Sequence, residues 1–424
     1  MLEIKSIRKN VELYSSGLLK RGLSDSKEKL NKIIHHDDNR KLYKTQLDKI
    51  LTEYNQVSKQ IGEKIQSGKK EEAEIMKKKS QKLKILRKKT SEKLKNEEAI
   101  IYEMLTNLPN VPDEIVPSGN NEEDNDIIFE SKRNINANKK LYPHWDLVKS
   151  FNLINFEKGN KITGAGFPVY IDKGAKLQRA IINFCIDQAI EKGYQEIQPP
   201  ILVNDTSAFG TGQLPDKEGQ MYKIENENLY MIPTAEVPIT NLHSNEILNN
   251  SLLPIKNVAY TPCFRKEAGS WGSHVRGLNR LHQFDKVEIV QIQNKDNSSK
   301  TLDEMCDHVE HLIKLLKLPY RKILLCAGDL GFSASITYDF EVYAPGQKKW
   351  LECSSVSNFK TYQTNRMNIK IRTNKEKNLA HTLNGSALAL PRIVAAILEN
   401  NQENDEIKIP DILQPYTGFN KITR

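Results

Sequence analysis

Arg265 and Glu267 stand two positions apart at the end of a β-rich run, Tyr260-Thr261-Pro262-Cys263-Phe264-Arg265-Lys266-Glu267. An extended chain turns alternate residues to one face, so a planar cation and a carboxylate are presented together. A glycine-rich loop, Ala268 to Gly277, follows, and the stretch Arg280 to Glu288 brings a second strand back. A guanidinium suits a phosphate because its fork donates two parallel bonds and its charge does not titrate, while Phe284 offers a ring to a nucleobase. Arg-x-Glu by itself is more often a surface ion pair between strands. The returning strand and the intervening loop favour a nucleotide site.

Two further segments carry candidate ligands. In Trp350-Leu351-Glu352-Cys353-Ser354-Ser355-Val356-Ser357-Asn358, Glu352 and Ser355 are hard oxygen ligands of the kind that magnesium bound to a triphosphate accepts. A solvated serine-rich turn is the competing reading of that segment. In the run from His381 to Arg392, Pro391 suits the first turn of the helix that continues through Ile393 to Leu398, because its missing N–H is one the helix start does not use. Arg392 would then lie near the positive end of that helix, where a cation gains nothing from the dipole. An anionic or aromatic ligand is the reasonable partner for it.

The elements that must position these residues differ along the chain. Between Lys27 and Ile101 there is no proline and almost no glycine, and Lys, Glu, Gln and Leu dominate, a helix-forming composition. Tyr43, Leu47, Ile50, Tyr54, Val57 and Ile61 recur at alternating steps of four and three, a heptad seam. The pattern breaks around Gln66-Ser67-Gly68, and a second polar helix follows with Met76, Leu83, Leu86, Leu94 and Ile101 as its less regular seam. An antiparallel hairpin with arms of ~30 residues, about 45 Å long, is predicted. Pro109 to Asp126, with Pro112, Pro117, Gly119 and the acidic Glu122-Glu123-Asp124, reads as a connector. From Ile127 onward short β-rich runs, Gln195 to Val203, Val258 to Phe264 and Lys286 to Ile292, alternate with helical stretches. That ordering predicts an α+β domain around a largely antiparallel sheet. The expected domains are therefore 1–108, a connector at 109–126, and 127–424.

The 63 Lys and Arg exceed the 54 Asp and Glu by 9, a modest excess whose distribution matters more than its size. Lys69, Lys70, Lys77, Lys78, Lys79, Lys82, Lys84, Arg87, Lys88, Lys89, Lys93 and Lys95 crowd the second arm. This is either a solvated helix face or a surface for the phosphates of a polyanion. Five scattered cysteines with no Cys-x-x-Cys spacing support neither a disulfide framework nor a zinc knuckle. Mean hydropathy of −0.59 and the charges among the first residues give no membrane span and no secretory signal, so a cytoplasmic location is expected.

Taken together, these segments resemble the signature motifs of class II aminoacyl-tRNA synthetases over essentially all of the chain. The helix after Gly174, then Gly193-Tyr194 and a strand reaching Pro200, resembles motif 1. Phe264 through Phe284 resembles motif 2, and motif 3 ends at Arg392. Thr211-Gly212-Gln213-Leu214-Pro215, Pro233-Thr234-Ala235-Glu236-Val237, His282-Gln283-Phe284 with Lys286-Val287-Glu288, and Leu383-Asn384-Gly385-Ser386 narrow the resemblance to the seryl-tRNA synthetase family. The arm, with Met1-Leu2-Glu3-Ile4-Lys5 and Ser58-Lys59-Gln60-Ile61-Gly62, is similar to that family's tRNA-binding domain. Three departures stand out: Ser273, His274 and Val275 replace the Arg-Asp-Thr common in the loop, Pro391 replaces a glycine, and Thr361 to Arg366 differs from the usual Asp-Phe-Gln-Ala-Arg-Arg.

The resemblance implies a bacterial-type class II fold that activates L-serine with ATP and transfers it to the 3′ end of tRNA(Ser), with the selenocysteine tRNA left open as a second acceptor. Arg265 and Arg392 are the implied catalytic groups. Thr234, Ala235, Glu236, Arg265, Glu288, Asn384 and Ser386 are implied for serine, and Arg265, Lys266, Glu267, Phe284, Glu352, Cys353, Ser354, Ser355 and Arg392 for ATP. Glu352 and Ser355 are the implied ligands of Mg2+, and a homodimer, no membrane and no DNA partner are expected. Two other readings use the same residues: an adenylate-forming ligase that loads a carrier protein, and a catalytically silent RNA-binding relative. The long basic arm argues against the first, and the presence of Arg265, Glu267, Glu352 and Arg392 against the second.

Overall fold

The computed structural model describes residues 1–132, 141–267, 276–373 and 376–424. They fall into two units, Met1–Pro109 and Asn110–Arg424. In the first, two short helices, α1 (Ile4–Lys9) and α2 (Val11–Lys20), precede the long pair α3 (Ser26–Gln66) and α4 (Lys70–Thr106). The turn between the long helices falls at Ser67 and Gly68, where a φ of +75° suits glycine. Ile50, Val57 and Leu83 are buried between the arms, with Tyr54, Ile61 and Met76 packed on them. Leu86, expected in the seam, is exposed instead, while Ala73 and Thr90 are buried on α4. Counting from Ala73 through Met76, Ser80, Leu83, Thr90, Leu94, Glu97 and Ile101 restores the heptad, so small and polar residues fill part of the second seam.

Asn110 opens the second unit. Its N–H donates to Phe332 O at 2.9 Å, and its side-chain amide donates to Ser333 O and Phe359 O, both at 2.9 Å. The sheet of this unit has eight strands. In chain order the elements that matter are β1 (Asp126–Glu130), α5 (His144–Ser150), α6 (Lys173–Glu191), β2 (Gln195–Glu196), β3 (Ile255–Phe264), β4 (Gln283–Gln293), α7 (Ser298–Leu315), β5 (Tyr320–Leu324), β6 (Ile336–Ala344), β7 (Lys349–Lys360), α8 (Tyr362–Met367), β8 (His381–Ala389) and α9 (Leu390–Asn400). Across the sheet they run β1-β5-β6-β7-β8-β4-β3-β2. Every neighbouring pair is antiparallel except β2 with β3. The β-rich run expected from Gln195 to Val203 is divided: Pro199 and Pro200 supply no N–H, and only Gln195–Glu196 and Leu202–Asn204 form strands.

Strand alternation separates the two faces. Val287 and Ile289 of β4, Phe340 and Val342 of β6 and Val356 of β7 join Leu177 and Ile181 of α6, Met305 and Val309 of α7, and Ile393 and Ile397 of α9 in the main core. Full burial of each such side chain contributes about 1.5–3 kcal/mol. The residues between them, Lys286, Glu288, Asp339, Glu341 and Ser355, turn to the other face. Among the described residues no helix is long and apolar enough to cross a membrane.

Candidate active site

On that second face lies a cavity of about 970 Å³, lined by residues from the β3–β4 hairpin, β6, β7, β8 and the start of α9. Arg265, at the end of β3, is held by its backbone N–H on His282 O at 2.9 Å and donates through Nε to Pro233 O at 3.4 Å. Its guanidinium carbon is 5.3 Å from the centre of the Phe284 ring, cation over aromatic face. Two residues on, Glu267 adopts a φ of +48°, unusual for a side chain with a Cβ, and this turns its carboxylate to Arg280 Nε at 2.5 Å. All four line the cavity. Lys266 does not: its ammonium is 5.8 Å from the Tyr222 ring centre.

Deeper in the cavity, Glu288 is fully buried and meets three donors. Asn384 Nδ2 donates to Oε1 at 2.8 Å, Ser386 Oγ to Oε2 at 3.3 Å, and Lys286 Nζ to Oε2 at 2.6 Å. Lys286 also donates to Thr234 Oγ1 at 2.9 Å. Glu236 lies beside them with one donor, Gln363 Nε2, at 2.6 Å on Oε1. Burial, and next the charge of Glu288, push the Glu236 carboxyl up to about 7 against the opposing pull of Gln363, Lys286 and Arg265. Ala235 is buried with Ile239, Ala259 and Val290 and offers no polar side chain.

Glu352 and Ser355 are three apart on β7, a spacing that would normally place them on opposite faces. The register shifts between Phe340 and Glu341: Asp339 pairs with Ser355 and Glu341 with Glu352, so one extra residue, Cys353, is accommodated on β7. This bulge brings Glu352 and Ser355 to the face of Asp339 and Glu341. The Cys353 thiol goes to the core and donates to Phe340 O at 3.3 Å, and Ser354 Oγ donates to Ser386 O at 2.6 Å. Burial first, then the charge of Glu352, raise the Asp339 carboxyl well above the usual carboxylate range, and its Oδ1 has no hydrogen-bond partner. A buried, unpaired carboxylate oxygen beside Glu352 and Ser355 fits a divalent cation. No trio of carboxylates, imidazoles or thiolates close enough to enclose an ion occurs among the described residues. Magnesium needs none, because it keeps waters and takes phosphate oxygens alongside one or two carboxylates.

At the mouth of the site Arg392 donates through NH1 to Glu352 O at 2.7 Å and through Nε to Asn279 O at 3.3 Å. Arg392 thus bridges the returning strand of the hairpin and β7. Two guanidinium groups, Arg265 and Arg392, thus line one cavity together with buried carboxylates, a set of groups that can meet both an anion and a cation.

Comparison with known proteins decides what this arrangement belongs to. Residues 1–112 match the model of the seryl-tRNA synthetase N-terminal domain, and residues 221–401 that of the tRNA synthetase class II core domain (G, H, P, S and T). A serine–tRNA ligase of Salinibacter ruber is 44% identical over 425 residues, covering 100% of this chain and 99% of the relative. One of Prosthecochloris aestuarii is 44% identical over 430 residues, with coverage of 100% and 99%. The chain belongs to the seryl-tRNA synthetase family. The crystal structure of the seryl-tRNA synthetase of Pyrococcus horikoshii complexed with ATP superposes with a TM-score of 0.91 at 33% identity, covering 100% of this chain and 99% of that one. The synthetase is thus an aminoacyl-tRNA ligase with the class II fold, and it attaches serine to tRNA.

Within this synthetase the fold gathers Thr234, Glu236, Arg265, Glu267, Phe284, Glu288, Glu352, Cys353, Ser354, Ser355, Asn384, Ser386 and Arg392 around one cavity. The loop departures at Ser273, His274 and Val275 lie outside the described residues. Three groups in or beside the site were not singled out by sequence. Lys286 enters the sequence reading only within the string Lys286-Val287-Glu288 and with no role of its own, although a lysine two before Glu288 on one strand shares its face. Asp339 needed the β6–β7 register to be seen. Gln363 needed the tertiary fold, since α8 reaches Glu236 across 127 residues of chain.

Proposed function

We propose that Arg265 holds the α-phosphate of ATP, Glu267 and Phe284 the adenine, and Arg392 the outer phosphates. Two guanidinium groups, Arg265 and Arg392, lining one cavity carry the reading. The relative from Pyrococcus horikoshii crystallised with ATP supports ATP as the nucleotide. Thr234, Glu236, Glu288, Asn384 and Ser386 take serine, their oxygens accepting from its ammonium and hydroxyl. Alanine, which lacks the hydroxyl, forgoes a hydrogen bond to these buried groups and is rejected for more than its size. Lys266, Ala235 and Cys353 contribute through the backbone.

A serine carboxylate oxygen attacks the α-phosphorus in line, the bond to the bridging oxygen breaks, and pyrophosphate leaves with the electron pair. Arg265, fixed between the Pro233 carbonyl and the Phe284 ring, meets the charge that develops there without reorganising. Glu352 and Ser355, with Asp339 behind them, would hold Mg2+, which would neutralise phosphate charge when bound. A ribose hydroxyl at the tRNA 3′ end then attacks the serine carbonyl carbon, and AMP departs. Most of the acceleration comes from alignment of the two reactants and from charge neutralisation.

The helical arm, assigned to a domain of residues 1–108, would grip tRNA(Ser) through the exposed lysines of α4. Residues 109–126 would connect it to a catalytic domain of 127–424 in a cytoplasmic homodimer. Serine-dependent exchange of pyrophosphate into ATP, followed by charging of total tRNA by the same preparation, tests the assignment. Exchange and charging with serine, but not with alanine, threonine or cysteine, is the expected result. Exchange without charging would instead indicate a carrier-loading ligase.

A further inference from the structure

We infer that the buried pair His144–Glu399 positions the nucleotide site from behind, by fixing the segment on which Arg392 leans; the inference rests on the reading of Arg392 as a phosphate ligand. His144 opens α5 and Glu399 lies near the end of α9, and both are fully buried. Glu399 Oε1 accepts from His144 N at 2.8 Å, His144 Nδ1 at 2.9 Å and Gln347 Nε2 at 2.9 Å. Its Oε2 accepts from Gly346 N at 2.8 Å and Gln347 N at 3.2 Å. A buried carboxylate with five donors is a fully compensated charge and a rigid anchor.

The other ring nitrogen faces the site. Leu278 N donates to His144 Nε2 at 2.8 Å, so Nε2 carries a lone pair and the proton sits on Nδ1, toward Glu399. Leu278 follows Gly277, whose φ is +72° and whose absent Cβ would fall 2.2 Å from His144 Nε2. The segment that returns to Phe284 is thereby pressed onto the imidazole at Gly277. The next residue, Asn279, donates its amide to Gln347 Oε1 at 2.9 Å and offers its carbonyl to Arg392 Nε at 3.3 Å. Arg392 and Glu399 are seven apart, two turns on one face of α9. The circuit Glu399–His144–Leu278–Asn279–Arg392 therefore closes on a single helix. Neither His144 nor Glu399 lines the cavity. Their effect on chemistry is confined to where they hold Asn279, and with it the Arg392 fork.

Removing the Nε2 acceptor leaves the Leu278 N–H buried without a partner and lets the Asn279 carbonyl move. Misplacement of about 1 Å at a reacting charge costs on the order of 100-fold in rate. The test is serine-dependent pyrophosphate exchange by the full chain, with KM measured separately for ATP and serine. His144→Leu is expected to lower kcat/KM for ATP by ~10- to 100-fold and leave the KM for serine within about twofold. His144→Gln, whose amide oxygen can reach the Leu278 N–H, is expected to recover to within about threefold of the native enzyme. Gln347→Leu, at a half-buried hairpin position, cuts the second tether to Asn279 and gives a readable variant where His144→Leu does not fold. It should raise the KM for ATP alone, and combined with a folded His144 variant it should cost less than the product of the two.

Arg392→Ala serves as the control. Loss of ATP kinetics in Arg392→Ala with native ATP kinetics in both folded His144→Leu and Gln347→Leu would overturn the positioning role. Native ATP kinetics in Arg392→Ala would overturn the phosphate reading itself. Equal losses for ATP and serine, unrelieved by His144→Gln and tracking a fall in melting temperature, would reduce the pair to a stabilising contact and would also overturn the inference.

Discussion

Gln363 Nε2 donates to Glu236 Oε1 at 2.6 Å, and Gln363 Oε1 accepts from Thr382 Oγ1 at 2.7 Å. The amide is thereby oriented from behind, and it gives Glu236 one neutral donor in a place where burial and Glu288 push its carboxyl up to about 7. A serine ammonium that binds the carboxylate must first expel a proton below that pH. Serine affinity should therefore rise with pH between about 6 and 7.5, and level off above. The KM for serine across that range, at saturating ATP, measures it, and Glu236→Gln should weaken serine binding and flatten the slope. An unchanged slope in that variant would locate the titrating group elsewhere.

The Arg265 guanidinium lies between the Pro233 carbonyl and the Phe284 ring, a planar fit that a lysine ammonium does not reproduce. Arg265→Lys should lower kcat for pyrophosphate exchange by roughly 100- to 1000-fold. Phe284→Ala should act mainly on the KM for ATP, because it removes ground-state stacking together with transition-state support. Steady-state exchange kinetics of the two variants separate these effects.

Lys78, Lys82 and Lys89 are exposed on α4. Replacing all three with glutamine should leave pyrophosphate exchange unchanged and lower kcat/KM for tRNA charging. The logarithmic salt dependence of tRNA binding should become shallower by ~1 for each lysine that meets a phosphate. Filter binding across a salt series provides the measurement, and an unaltered slope would assign these lysines to solvation.

In the first unit, Asp37 is buried at the root of the long helices and accepts from Arg8 at 3.1 Å, Arg40 at 2.7 Å and Lys41 at 2.9 Å. Burial alone would raise its carboxyl, but Lys41 and Arg40 hold it below the usual range. A carboxyl whose folded pKa is depressed stabilises the fold above its unfolded value near 3.9, and that contribution is lost as pH falls through the folded value. Asp37→Asn should destabilise the first unit by about 1–2 kcal/mol at pH 7, since its cationic partners stay partly hydrated, and by less once the pH falls below the unfolded carboxyl value. Thermal melts of both proteins above and below that value test the sign.

Much of this synthetase was legible before any fold was seen, because the information was local. The first arm's seam showed itself through Ile50 and Val57, and the break through Gly68, since apolar spacing and a left-handed glycine are properties of neighbouring residues. Arg265, Glu267 and Phe284 were found for the same reason: one hairpin carries all three. The second seam was only half legible, as Ala73, Ser80 and Thr90 carry too little apolar surface to mark a stripe. What the tertiary structure decided was the meeting of distant groups. Glu352 and Ser355 share a face only because β7 bulges against β6, a property of register between strands rather than of either strand. Gln363 reaches Glu236, and Glu399 reaches His144 across 255 residues, through buried hydrogen bonds that a polar side chain in a sequence does not announce. The chain's periodicity determined which faces are apolar, and the requirement that every buried donor and acceptor find a partner determined which of the remaining residues came together.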